Sequence, residues 1–205
     1  MNKKEIIPVL LNAAKLYDKN LKNQKFLVIS GKPNNLHFFE IKADDTNFLH
    51  LTGVVTKLNP SVFYDRLINS RIKESDVKLR NDGTTIKKLS VIEDVMDFKK
   101  MAQMAGDYNG RRPKLITDKL VGNVRASIGF IGTSSGSYSP NTVLNGDMRD
   151  EIIKSEKVIA ILSKKANDIS YNKIVKVCKD SDDVKNALEK ASKIYKIDFQ
   201  AIEQT

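Results

Sequence analysis

Leu115–Ile131, with the sequence LITDKLVGNVRASIGFI, is the stretch that decides the fold class. It is rich in valine and isoleucine and is divided by glycines and polar turns, which is typical of short strands. Three later runs have the same character: Ser137–Leu144, Lys157–Ser163 and Tyr171–Lys179. Together these segments predict an antiparallel sheet of about four strands.

Apolar residues at helical spacing dominate the chain on either side of these strands. That spacing predicts helices over residues 3–22, Val62–Lys73, Lys87–Ala105 and Asp182–Tyr195. In the last of these helices, Ala191 and Ile194 are among the residues expected to face inward. A hairpin is also predicted from Lys25–Ser30 and Leu36–Lys42, because a Gly-Lys-Pro-Asn-Asn turn separates two short strand-like runs.

The fold class that follows is α+β, with N-terminal helices packed on the antiparallel sheet and a C-terminal helix capping it. We expect a single α+β domain over residues 1–205. It would be helix-rich at 1–110 and strand-rich at 111–180, with the C-terminal helix within 181–205.

The composition favours a polyanionic partner. The chain has 35 Lys and Arg against 25 Asp and Glu, a net charge of +10, which suits nucleic acid or an acidic protein. A lysine-rich sequence can also reflect an AT-rich genome. The single cysteine, Cys178, excludes an internal disulfide, and with two histidines we expect no metal site and no cofactor. The chain shows no signal peptide and no membrane-length apolar run, which predicts a cytoplasmic protein without a membrane partner.

Phe48–Gly53, with the sequence FLHLTG, holds one of the two histidines, His50. Histidine is the side chain best suited to proton transfer near neutral pH. A lone histidine between leucines can equally be a hydrogen-bonded structural residue. The other histidine, His37, lies beside two phenylalanines in a predicted strand, where a packing role is expected.

Gly129–Thr142 concentrates glycines, hydroxyls and an amide between two predicted strands. Asn141 and Thr142 stand at the mouth of the sheet, where they could bind a phosphate or simply finish a turn. No Lys-Ser or Lys-Thr follows a G-x-x-x-x-G spacing, which argues against a nucleoside triphosphatase. Arg125 in the preceding strand could stabilise a phosphate, although it could also face solvent.

The chain has no carboxylate cluster of the kind that metal-dependent nucleases use. If it cuts nucleic acid, it should do so without metal, with the RNA 2′-hydroxyl as the nucleophile. Such a reaction needs a base, an acid and a charge stabiliser, for which His50, a hydroxyl and an arginine or lysine would suffice.

FLHLTG at Phe48–Gly53, YSPNTVL at Tyr138–Leu144 and YNKI at Tyr171–Ile174 resemble the phage members of the Barnase–EndoU–colicin–RelE-like nuclease superfamily. The resemblance spans roughly residues 20 to 180. It implies helices packed on an antiparallel sheet and metal-independent RNase activity.

On this resemblance His50 would act as acid or base, with Thr52 orienting it or contacting phosphate. The cleft would be lined by Tyr138, Asn141 and Thr142. These are hydroxyl and amide groups, so the set lacks a second strong acid or base.

We therefore expect a metal-independent RNase-like protein of a phage or mobile element that binds RNA and cleaves it by transesterification. The cations expected to contact phosphate are Lys57, Arg111, Arg112 and Arg125. A cognate antitoxin or immunity protein is a further candidate partner. The alternative is a non-catalytic basic protein, a nucleic-acid binder or an inhibitor or accessory factor of a mobile element.

Overall fold

The computed structural model of the protein describes residues 3–111 and 115–203. Helices and strands are both present, so the α+β class is confirmed. The helices are α1 Lys3–Asn20, α2 Phe48–Thr52, α3 Pro60–Ile68, α4 Thr84–Leu89, α5 Ile92–Met96, α6 Phe98–Met101, α7 Ser181–Ser192 and α8 Phe199–Glu203. The strands are β1 Gln24–Lys32, β2 Asn35–Ala43, β3 Met104–Asp107, β4 Lys119–Gly122, β5 Ala126–Gly132, β6 Tyr138–Asn145, β7 Glu156–Lys165 and β8 Lys173–Val177.

Within the described residues the sheet has eight strands, in the order β1-β2-β6-β5-β4-β3-β7-β8. The expectation of about four strands is wrong. The N-terminal hairpin joins the same sheet as the later strands, residues 115–131 contribute both β4 and β5, and β3 arises where a helix was expected. Neighbouring strands are antiparallel except β2 and β6, which meet in parallel at Ile41 and Tyr138. Because β1 also pairs with β7, the pairing closes into a circuit with β8 added along β7.

The helix predicted over Lys87–Ala105 is instead the three short helices α4, α5 and α6 followed by β3. The side chain of Asp97 accepts a hydrogen bond from the backbone N–H of Lys100 and so caps α6. The three helices keep their apolar residues on one side, and Leu89, Val95 and Met101 are all buried. Helical spacing therefore survives locally although the helix axis is broken.

The sheet is covered on both faces. The face that carries Phe26, Val28 and Ile41 packs against α1–α6, and we call it the inner face. The opposite, outer face packs against α7 along β1 and β7, where Ala187 and Ala191 are buried. This arrangement confirms the capping helix.

Ile194, predicted to face inward, lies beyond the end of α7 and is 66% exposed. No helix in the described ranges is long and apolar enough to cross a membrane.

Candidate active site

A polar pocket of about 280 Å³ lies at one end of the sheet. Its lining includes His37, Lys119 and Glu156, which come from β2, β4 and β7. Side chains alternate between the faces of a strand, so each of these residues shares the inner face with an apolar residue two positions away. Those apolar neighbours are Phe39, Val121 and Val158. The pocket therefore continues the inner face beyond the point where the apolar core ends.

His37 makes polar contacts with two side chains in this pocket. Its Nε2 atom is 3.1 Å from Asn35 Nδ2 and 3.3 Å from Glu156 Oε1. A neutral imidazole with its proton on Nδ1 accepts from Asn35 at Nε2, whereas an imidazolium pairs with Glu156. The expected packing role is wrong, because the side chain stands past the apolar core and is 52% exposed. His37 is thus placed to exchange a proton with a ligand.

Glu156 is held in place from several directions. Its side chain is only 13% exposed, and Ser30 Oγ donates a 3.4 Å hydrogen bond to Oε2. Lys154 Nζ lies 3.5 Å from Oε1, the same oxygen that faces His37. A carboxylate restrained in this way can fix the orientation of the imidazole and stabilise its protonated form.

Lys119 brings positive charge to the other side of the pocket. Its Nζ atom is 2.6 Å from Asp107 Oδ1 and lies over two aromatic rings, 5.3 Å from the centroid of Phe39 and 5.5 Å from that of Tyr138. The two rings contact each other edge to face with centroids 5.8 Å apart. Phe39 and Lys119 line the pocket, so Tyr138, whose ring contacts both, lies directly behind two of the lining residues.

His50 lies on a different element. Helix α2 ends at Gly53, whose φ of 66° is a left-handed conformation that glycine adopts readily. The His50 side chain is exposed, and its backbone carbonyl accepts a 2.9 Å hydrogen bond from Lys88 Nζ. Burial lowers the pKa of Lys88 to about 8. Helix α2 packs against β6, but catalysis by His50 stays a prediction.

The Thr52 hydroxyl is committed to the backbone. It is fully buried, donates a 2.8 Å hydrogen bond to the carbonyl of Leu49 and accepts one of 3.1 Å from the N–H of Val54. These contacts stabilise the end of α2. Neither contact involves the His50 side chain, so the role of Thr52 in orienting His50 or binding phosphate stays a prediction.

Asn141 and Thr142 occupy a β-bulge in β6, where Asn141 is the extra residue between the pairs Gly129–Thr142 and Phe130–Pro140. The Asn141 amide accepts a 3.0 Å hydrogen bond from Thr117 Oγ1 and donates to the carbonyl of Ile116. The Thr142 hydroxyl is buried and has no hydrogen-bond partner among the described residues. Their contribution to a cleft stays a prediction.

The predicted phosphate-binding cations are spread over separate loops. Lys57 and Arg111 are exposed, and Arg125 is exposed with Asp94 at 3.8 Å. Arg112 lies outside the described residues. Among the described cations, Lys119 and Lys154 line the pocket.

Sequence reasoning missed His37, Lys119 and Glu156. His37 carried a usable signal, because it alternates with Phe39 and Ile41 along a strand and must share their face. Lys119 and Glu156 carried none, since a charged residue at a strand end is ordinarily solvated. In the described ranges, no three His, Cys, Asp or Glu side chains are grouped so as to hold a metal ion.

Residues 9–180 match the family described as phage-Barnase-EndoU-ColicinE5/D-RelE like nuclease4. The chain belongs to this nuclease family. The match covers most of the chain, includes every pocket residue named above and confirms the resemblance seen in the sequence. Among curated proteins and among solved structures, no significant match to the chain was found. Family membership makes nucleic acid the expected class of substrate.

Proposed function

We propose that this nuclease-family protein is a metal-independent endoribonuclease whose active site is the pocket around His37. The observation that carries the proposal is the meeting of an imidazole, a restrained carboxylate and an ammonium group in one pocket of the sheet. RNA transesterification needs a base, a means of stabilising the charged phosphorane and an acid for the leaving group.

His37 is the proposed base. The neutral imidazole, with its proton on Nε2 toward Glu156, removes the proton from a ribose 2′-hydroxyl at Nδ1, and the 2′-oxygen then attacks the adjacent phosphorus. Glu156 lies 3.3 Å from Nε2 and stabilises the imidazolium that forms. Its burial keeps water from weakening that interaction.

Lys119 is the proposed charge stabiliser. Its ammonium now pairs with Asp107 Oδ1, whose side chain is 63% exposed. An RNA phosphate can replace that carboxylate, because an exposed ion pair is weak and both partners can be solvated. Negative charge that builds on the phosphorane oxygens would then meet a cation already in position.

Tyr138 is the proposed acid. It is predicted from the sequence to line the cleft, and the proposal adds proton donation as its role there. As the bond from phosphorus to the 5′-oxygen breaks, the phenol donates its proton to that oxygen. The products are a 2′,3′-cyclic phosphate and a 5′-hydroxyl end. His37 then loses its extra proton to solvent and Tyr138 regains one, so the protons balance.

The two histidines give this proposal a matched test. Wild type, His37→Ala and His50→Ala would be incubated with RNA in EDTA, and the product ends examined for cyclic phosphate. We expect EDTA-resistant cleavage by wild type and His50→Ala, and a loss of about 100-fold or more in kcat for His37→Ala. A substrate with a 2′-deoxyribose at the cleaved position should be resistant.

Two results would count against the proposal. Loss of activity in His50→Ala with full activity in His37→Ala would move catalysis to the FLHLTG segment. Absence of cleavage by wild type, with RNA still bound, would favour the non-catalytic binding protein.

A further inference from the structure

A second polar pocket, of about 560 Å³, lies at the opposite end of β1 and β7. It is formed where β1 begins, where β7 ends and where β8 begins, and its lining includes the cations Lys22, Lys164, Lys165 and Lys173. Asp168 is the one acidic residue in the lining. The pocket therefore presents an excess of positive charge in a concave site.

The single carboxylate of this basic pocket is already used by the local turn. Asp168 Oδ2 accepts hydrogen bonds from the backbone N–H of Lys165 and from Asn172 Nδ2, each at 3.3 Å. It caps the connection between β7 and β8 in the way that aspartate commonly does in turns. Its Oδ2 atom is thus engaged by the turn, while its charge still acts on the ammonium group of Lys164.

The four lysines of the basic pocket differ in whether their ammonium groups already have partners among the described residues. Lys22 pairs with Asp18, and Lys164 donates to the carbonyl of Ile169. The side chains of Lys165 and Lys173 are exposed and make no hydrogen bond or ion pair with the described part of the chain. Both ammonium groups are available for an anionic ligand.

Carboxamides line the same pocket. Asn23, Gln24 and Asn167 have side chains that make no hydrogen bond to other described residues. A carboxamide both donates and accepts hydrogen bonds, as the edge of an unpaired nucleobase does. Lysines for phosphate together with carboxamides for base edges suit a nucleotide chain better than an acidic peptide, which offers chiefly acceptors.

The basic pocket and the His37 pocket are too far apart for one nucleotide. The ladder of β1 and β7 runs from Gln24–Lys165 at the basic pocket to Ser30–Val158 beside the His37 pocket. Six residue steps along β1 correspond to about 20 Å at the rise of a strand. A ligand that contacts both pockets must therefore be an oligonucleotide or a folded RNA.

We propose that the basic pocket binds an unpaired, phosphate-bearing segment of the same RNA that is cleaved at the His37 pocket. The proposal rests on the proposed function for the identity of the RNA as substrate. Binding at the basic pocket would increase the affinity for long RNA. It would not take part in the chemistry, which is proposed for the His37 pocket at the other end of the sheet.

The test is the affinity for a fluorescent 2′-O-methyl RNA of about 20 nucleotides, measured by anisotropy between about 50 and 200 mM salt. This RNA lacks the nucleophile, so binding is measured whether or not the protein cleaves. Lys165→Glu with Lys173→Glu is compared with Lys185→Glu with Lys193→Glu. The second pair lies on or just after α7, is exposed and changes the net charge equally.

We expect the Lys165/Lys173 variant to lose affinity about tenfold or more and the salt slope to fall by about two, one for each phosphate contact. The Lys185/Lys193 variant should stay within about twofold of wild type, because its lysines lie outside the pocket. Equal losses in both variants would mean that net charge alone matters and would overturn the proposal.

Unchanged affinity in the Lys165/Lys173 variant would also overturn it. Poly-glutamate is tested in the same way. If it binds wild type through Lys165 and Lys173 and the RNA does not, the ligand of the pocket is an acidic protein instead. Because no cleavage is measured, failure of this proposal can be told apart from failure of the proposed RNase activity in the EDTA assay.

Discussion

The two histidines differ in what surrounds them, and the sequence indicates only His50 as a potential catalyst, whereas it predicts a packing role for His37. His50 lies on a short helix with an exposed side chain, and the contact that involves it is made by its backbone carbonyl with Lys88. His37 lies at the end of a strand with its ring nitrogen 3.3 Å from a restrained glutamate. The comparison teaches that a short recognisable motif can stabilise a helix end while the polar groups proposed for the chemistry are brought together by strands distant in sequence.

The largest effect should come from removing Lys119, the proposed charge stabiliser. Lys119→Ala should lower kcat by about 100-fold or more, because the phosphorane would lose the cation that neutralises its oxygens. Lys57→Ala is the matched control, since Lys57 follows the His50 helix and was the cation expected there. It should change kcat by less than about twofold. The measurement is steady-state cleavage of a short RNA in EDTA, and the opposite ranking would restore the site around His50.

A smaller effect should separate structure from catalysis in the FLHLTG segment. Thr52→Val keeps the shape but removes a buried hydroxyl that bonds to Leu49 and Val54. It should lower the free energy of unfolding by about 1–3 kcal/mol. Thr46→Val, at an exposed position, should stay within about 0.5 kcal/mol. Urea unfolding gives both values.

Activity per folded molecule should be unchanged in Thr52→Val. A drop in kcat without any loss of stability would instead give Thr52 the catalytic role that the resemblance implied.

The smallest effect concerns pH and Lys88. Burial holds its pKa at about 8 in the folded protein, below the ordinary value of 10.5. Between these values the unfolded chain binds more protons, so this group makes the protein more stable as pH rises from about 8 to 10. Below pH 8 both states are protonated and the cost of burying the charge is fully present.

Lys88→Met should remove this dependence. The difference in unfolding free energy between wild type and variant should shift in favour of wild type as pH rises through that window. Urea unfolding at several pH values measures it. A difference that stays constant with pH would show that Lys88 titrates as an ordinary exposed lysine.

Much of the fold was accessible from local pattern. The helix predicted over residues 3–22 is α1, Lys3–Asn20, and the predicted hairpin is β1 and β2 joined by the two-residue turn Pro33-Asn34. The helix and the hairpin are each formed by residues close together in the sequence, so the spacing of their apolar and turn residues predicts them directly. The breaks at Asp97 and before Met104 were not accessible, because apolar residues keep helical spacing across them.

The sequence by itself determined the α+β class, the excess of positive charge, the family resemblance and the face of β2 on which His37 lies. Only the tertiary structure decided which groups His37 would meet. Glu156 and Lys119 come from strands far along the chain, and the closed circuit of strand pairing brings both into the pocket that His37 lines. Spacing along a strand fixes the face of a side chain, but its neighbours across the sheet depend on pairing and register, which no local pattern contains.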